Sequence, residues 1–271
     1  MDGLEETSMK GIELFKHGDK LIYSSKREVI AVYPNTEYEE YLGLQLSKRI
    51  LENVDIFWSE TGAELFNDVT RKTRQITDTK SELDKVRKTD GENDLLYQQL
   101  ASSEEPRIQA LNDEIVQKIQ SFLTEHHIKN LSDLISGSLL NDKYIDFFKN
   151  HVWFEIFIYG LFKHLDFSDE TVLLNSEIMG KGGLKHKIDI TVVTPMHITI
   201  VEAKSQNVKR AQLMNLIGQK ADINADLAFL IAGKEFSEKK EFKDKYRNVF
   251  VFDNVFDESF NAVLKKTQEK Y

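Results

Sequence analysis

Between positions 187 and 204 the chain reads Lys-Ile-Asp-Ile-Thr-Val-Val, then Thr-Pro-Met, then His-Ile-Thr-Ile-Val-Glu-Ala-Lys. So many β-branched residues on either side of a proline describe two strands joined by a tight turn. If Pro195-Met196 form a two-residue loop, Thr194 faces His197, and counting back sets Asp189 opposite Glu202. Opposed residues of an antiparallel pair point to the same face, as do residues two apart on one strand. Asp189, Glu202 and Lys204 therefore converge on one patch of sheet. A three-residue loop would shift the pairing by one and disperse them.

The surroundings give that convergence a chemical meaning. Ile188, Ile190, Val192, Ile198, Ile200 and Val201 are apolar. Two carboxylates in such a place repel one another, and one resists ionising. A divalent cation removes the conflict, and oxygen ligands with retained water suit Mg²⁺ or Mn²⁺. Such an ion stabilises charge on a phosphoryl oxygen and helps generate hydroxide from water. Lys204 beside it would assist the attacking water or steady the developing charge.

The rest of the chain supplies the frame. Ile12–Phe15, Lys20–Tyr23 and Glu28–Tyr33 read as a short meander, Thr36 caps a helix reaching Asn53, and Val54–Trp58 reads as a further strand. Residues 60–126 carry two amphipathic patterns around a turn at Thr89–Asn93, which describes a long helical hairpin. From Asn141 an apolar helix (Asp142–Leu165) leads into strands near Thr171–Ile178, Lys187–Val193 and His197–Ala203. A helix at Val208–Ile223, strands at Leu227–Ala232 and Val249–Phe252, and a helix at Asp257–Lys266 complete an α/β pattern. The expected organisation is an α+β region (1–58), a helical arm (59–140) and a mixed sheet flanked by helices (141–271).

Asp189, followed thirteen residues later by Glu202-Ala203-Lys204 on a second strand, resembles the core of the PD-(D/E)XK nuclease superfamily. Upstream, Trp153-Phe154-Glu155 resembles the Gly-x-Trp-Leu-Glu signature in the nuclease halves of CRISPR-associated CARF effectors. The family's order of helix with Glu, strand, strand with Asp, strand with E-x-K, helix and strand is followed over about residues 145–253. The resemblance implies a restriction-endonuclease-like fold and metal-dependent hydrolysis of nucleic-acid phosphodiesters. It implies that Asp189, Glu202 and the carbonyl of Ala203 hold the metal, that Glu155 joins the metal or water shell, and that Lys204 assists the nucleophile. A glutamine in the following helix orients a catalytic group in many members; Gln219 is the best positional match and Gln212 the second. The chain departs from the pattern in Ile188, which replaces the motif's proline, and in Val152, which replaces the signature's glycine. Residues 1–140 show no cyclic-nucleotide-sensing Rossmann pattern.

Each of these residues also has an ordinary reading. His151, Glu155, Tyr159 and Lys163 recur at four-residue spacing, as a polar helical stripe would, and Gln212, Asn215 and Gln219 form another. Gly180-Lys181-Gly182-Gly183 lacks the spacing of a phosphate-binding loop and reads as a flexible hairpin turn. In the functional reading Lys181, Lys185 and Lys187 flank the substrate backbone, and Lys209 and Arg210 extend a local cationic patch.

Charge sharpens the division. The net charge is −9, and residues 1–150 hold all of the excess, with 19 basic against 28 acidic side chains, whereas residues 151–271 hold 17 of each. The acidic half suits a protein partner, and the neutral half suits nucleic acid; the family resemblance, not the charge, implies DNA more than RNA. With no cysteine, zinc-thiolate sites and thiol catalysis are excluded. The acidic N-terminus lacks a signal-peptide pattern and no apolar run is long enough to span a bilayer, so a cytoplasmic protein is expected, acting in defence or repair. A homodimer through residues 60–126 would provide two active sites for a duplex. The alternative is a catalytically silent nuclease fold that acts as an assembly module through its helical arm.

Overall fold

A computed structural model describes residues 5–9, 12–17, 20–24, 29–33, 45–90, 95–128, 147–149, 151–165, 172–194, 197–238, 242 and 245–271. Nine strands form one sheet in chain order: β1 (Glu5–Met9), β2 (Ile12–His17), β3 (Lys20–Ser24), β4 (Val29–Tyr33), β5 (Val172–Met179), β6 (Lys185–Val193), β7 (Ile198–Lys204), β8 (Leu227–Ala232) and β9 (Val249–Phe252). Neighbours are antiparallel from β1 to β7, while β7, β8 and β9 run parallel. The expected α/β architecture, a mixed sheet flanked by helices with a long helical region, is what the chain adopts. The N-terminal meander continues the same sheet, because Val32 pairs with Ile178 and Tyr33 with Glu177.

Helices among the described residues include α1 (Gln45–Glu52), α2 (Val54–Phe57), α3 (Glu60–Asp90), α4 (Leu95–Glu125), α5 (Val152–Lys163), α6 (Arg210–Ile223) and α7 (Phe260–Gln268). Parallel strands need a crossover, and α6 provides it between β7 and β8. Its Leu213, Leu216 and Ile223 close one face of the sheet over Ile198, Ile200, Ala228 and Leu230. On the other face α5 is apolar almost all round, with Trp153, Phe154, Ile156, Phe157, Leu161 and Phe162 buried. A helix of that kind belongs in the middle of a protein. Helices α3 and α4 cover it, and their roots enter the same core through Phe66, Val69, Ile115, Ile119 and Phe122. Phe66 stacks on Trp153 at 4.8 Å, and the indole N–H of Trp153 donates to Thr70 Oγ1 at 3.3 Å.

Two expectations need comment. Residues 54–57 are a helix, not a strand. The run is too short for periodicity to decide, and the neighbouring Trp58 sets the geometry. Its indole donates to the carbonyls of Val255 and Glu258, and its rings pack on Phe157, Phe256 and Phe260. Strand β1 was absent from the sequence reading. Of the helix expected over 36–53, residues 45–52 are helical, and 34–44 lie outside the described residues. The centre of the hairpin turn (91–94), the first residues of the helix expected from Asp142 and the two turn residues Pro195-Met196 also lie outside them.

Strands β5 and β6 bend together. Leu174 and Ile190 belong to the core on the α5 face, whereas Ile178 and Ile188 belong to the core on the α6 face. Residues two apart ordinarily share a face, so both strands turn over between those positions. The turn centres on Asn175, whose φ is 47°, and on Asp189 opposite it. Pairing resumes on either side, Leu174 with Ile190 and Ser176 with Ile188, with no residue inserted. The distal half of the hairpin then reaches the C-terminal end of α6, where Gly182 N donates to Asp222 Oδ1 at 3.1 Å and Lys181 N to the Asp222 carbonyl at 3.0 Å.

Candidate active site

The pairing of β6 with β7 follows the two-residue-loop count: Val193 with Ile198, Val192 with Thr199, Thr191 with Ile200, Ile190 with Val201. Thr194 N donates to the His197 carbonyl at 2.9 Å. Beyond Ile190 the strands fork. The amide of Ala203 donates to Asp189 Oδ2 at 2.9 Å, and Lys204 Nζ lies 3.3 Å from the same oxygen. The same ammonium lies 2.6 Å from Glu202 Oε1. Asp189, Glu202 and Lys204 thus meet at the mouth of the fork. Their side chains keep 16%, 16% and 28% of their surface, so the cluster is reachable from solvent.

Glu155, in the first turn of α5, approaches from the other side. Burial, then the neighbouring Asp189 carboxylate, push its pKa well above the ordinary glutamate range. Burial and Asp189 also raise Glu202. For Lys204 burial works towards a lower value, but Asp189 and Glu202 outweigh it and hold the ammonium firmly protonated. Burial comes first in making Glu155 and Glu202 resist ionising, and the Asp189 carboxylate adds to it.

The remaining expected residues are distributed as follows. Gln219 lies on the sheet side of α6 between Leu216 and Ile223; it is buried, and its Oε1 finds no hydrogen-bond partner among the described residues. Gln212 Oε1 accepts from Lys209 N at 2.8 Å and so secures the start of α6. Lys187 is exposed and its charge reaches Glu155. Lys185 pairs with Glu177 at 3.2 Å. Lys181 sits by Asp222 at the C-terminal end of α6, whereas Lys209 and Arg210 stand at its start, about 20 Å away along the axis. Arg210 is engaged with Glu238 at 3.7 Å and lies over the Phe242 ring. Of the proposed cations, Lys187 and Lys204 are the ones whose charges act on the carboxyl cluster.

Sequence reading did not single out His151 and Ser205 as neighbours of this cluster. His151 precedes α5 in a left-handed conformation (φ 59°), and its Nδ1 lies 3.0 Å from Ser205 Oγ. Ser205 is buried and directly follows Lys204. The available signal was His151's place one turn before Glu155 in the polar stripe.

No known family profile matches the chain, and no curated protein sequence does. Among solved structures, protein VC1899 from Vibrio cholerae is similar with a TM-score of 0.50 at 14% identity, over 83% of this chain and 57% of that one. The chain therefore spans a little over half the length of VC1899, and the likeness is one of fold. A second structure, Can2 from Sulfobacillus thermosulfidooxidans in complex with cyclic tetra-adenylate, gives a TM-score of 0.38 at 11% identity over 48% of this chain and 38% of that one.

Asp189 and Glu202 are the donors that a hard divalent cation would use here. The set is made of oxygen, it is partly open to water, and a cationic group, the Lys204 ammonium, already rests between its two carboxylates. Both bonds to Asp189 use Oδ2, which leaves Oδ1 for a ligand. Among the described residues no three or more histidine or acidic side chains form a ready chelate, so such an ion would keep water in its shell. No helix among the described residues is long and apolar enough to cross a membrane.

Proposed function

We propose that this chain is a metal-dependent nuclease that hydrolyses nucleic-acid phosphodiester bonds, with DNA preferred over RNA. One observation carries the reading: Asp189, Glu202 and Lys204 converge at an accessible fork in the sheet, and the charge of Asp189 reaches Glu155 in the first turn of α5. In this reading Asp189, Glu202 and the Ala203 carbonyl hold Mg²⁺ or Mn²⁺. When bound, the ion supplies Lewis-acid stabilisation of a phosphoryl oxygen and a lowered water pKa. The Ala203 amide fixes the Asp189 carboxylate, so its free oxygen presents at a set angle. Lys204, held protonated, steadies the negative charge that grows on the phosphoryl group under attack. Glu155 orients the attacking water and takes up the proton that it releases. Gln219, buried on the sheet side of α6, is proposed to orient a catalytic group.

The test uses plasmid, single-stranded DNA and single-stranded RNA, each with Mn²⁺ and with EDTA. Cleavage is expected with Mn²⁺ alone, and Lys204→Ala is expected to slow it by about 100-fold or more. Equal rates and products from the wild type and Lys204→Ala would sink the assignment.

A second reading has its own support. Lys204 satisfies both carboxylates without any metal, as a structural ion cluster would. That favours a catalytically silent fold that serves assembly through the helical hairpin. Calorimetric titration with Mn²⁺ separates the two, since only the nuclease requires binding heat that Asp189→Asn abolishes.

A further inference from the structure

The start of α5 is crowded with positive charge. Arg74, exposed on α3, donates from its guanidinium to the Lys149 carbonyl at 3.2 Å. Two residues on, the left-handed turn at His151 places the imidazole against Ser205, next to Lys204. Burial first, then the charges of Arg74 and Lys204, keep His151 from taking up a proton as readily as an ordinary imidazole. The hairpin pairs its other root cations within itself: Arg71 and Lys118 with Asp68, Lys72 with Glu114. Arg74 makes no ion pair among the described residues, although Asp78 lies one turn further along its own helix. A guanidinium pinned by a backbone carbonyl, with no carboxylate partner among the described residues and with His151 close by in the chain, offers a place for an anion.

We propose that Arg74, His151 and Lys204 form a notch for the phosphate of the nucleic-acid strand next to the scissile one, so that the root of the helical hairpin forms one wall of the substrate channel. This rests on the nuclease reading and adds to it the course of the substrate. Arg74 offers a planar pair of donors to two phosphate oxygens. When Ser205 Oγ donates to Nδ1 of His151, Nε2 carries the ring proton and donates to the same phosphate without the ring being charged. Contacts of this kind position the strand and read no sequence.

The experiment measures fluorescence anisotropy of a short fluorescein-labelled single-stranded DNA in EDTA, at salt concentrations from about 50 to 200 mM. Arg74→Gln keeps a donor for the Lys149 carbonyl and removes the charge. It is expected to weaken binding roughly 3- to 10-fold and to lower the slope of log affinity against log salt by about one. Arg74→Lys should retain most of the affinity, and Arg71→Gln on the same helix should leave binding and slope unchanged. In Mn²⁺, Arg74→Gln should raise KM with little change in kcat, because phosphate positioning acts on ground state and transition state alike. If the wild type binds DNA and Arg74→Gln matches it in affinity and slope, the notch is refuted and the nuclease reading stands. If the wild type binds no DNA, both fall together.

Discussion

Strand β6 carries two acid–base clusters of opposite electrostatic character. At its start, His186 Nε2 meets Asp222 Oδ2 at 2.6 Å while the Gly182 amide donates to the other carboxylate oxygen. The hydrogen bond to His186, then that from Gly182, hold Asp222 below the usual aspartate range. Three residues beyond His186, Asp189 shares Lys204 with Glu202, and there burial and carboxylate repulsion push Glu155 and Glu202 upward. The first cluster gives each acceptor a donor and closes the hairpin tip against α6. The second leaves more negative groups than one ammonium can answer. Groups arranged only to hold a fold resemble the first; an upward shift shared between neighbouring carboxyls in an open fork is what the proposed nuclease reading asks of its site.

Three measurements would break or sharpen that contrast. The largest effect is expected from Gly180→Ala. A methyl group there would stand 1.9 Å from Asp222 Oδ2 and 2.9 Å from His186 Nε2, so the closed cluster must open. Overpacking of this type destabilises by about 1–3 kcal/mol, which should lower the melting temperature by several degrees. Stabilisation by Mn²⁺ should persist in this variant, because the fork is not touched. A melting curve identical to wild type would mean that the hairpin tip is not held as described.

A smaller and opposite change is expected from Glu155→Gln. Between the ordinary glutamate value of 4.5 and its raised folded value, Glu155 binds more protons folded than unfolded. Stability therefore falls as pH rises through that window. Removing the carboxyl should raise the melting temperature by a degree or two at pH 8, with little difference near pH 4, and should abolish cleavage. A lower melting temperature at pH 8 would mean that Glu155 is stabilising and not poised.

The smallest effect is expected from Asp222→Asn. Asp222 is depressed on folding, so its contribution is present above the ordinary value of 3.8 and is lost as pH falls through the folded value. Wild type and variant melting temperatures should differ at pH 6 and converge as pH falls below the folded value of Asp222. A gap that widens on acidification would reverse the assignment of the two clusters.

Much of the fork was legible because its information is local. The alternation of β6 and β7, the proline between them and the resulting loop length determine a register that holds from Val193 to Ile190. The mixed α/β order was legible for the same reason. The bend was not. Ile188 and Ile190 look like one face of a strand, and the period of two fails only because Asn175 adopts a left-handed backbone opposite Asp189. His151 and Ser205 meet across 54 residues, which no spacing rule spans. At residues 54–57 the aromatic cage around Trp58, drawn from α5 and the C-terminal segment, overrides what four residues prefer. Polar Glu5-Glu6-Thr7-Ser8 gives no apolar alternation, so β1 declares itself only by its ladder to β2.

The position of the Lys204 ammonium has a further consequence for competition among ions. Any cation that settles between Asp189 and Glu202 has to move aside a unit charge already bound at 2.6 Å and 3.3 Å. Sodium or potassium would exchange one unit for another and gain nothing in Coulomb energy, whereas a doubly charged ion gains a full unit against two carboxylates. In the nuclease reading the tethered amine would then act as a charge threshold, holding the fork together in monovalent salt and yielding to an entrant of higher valence.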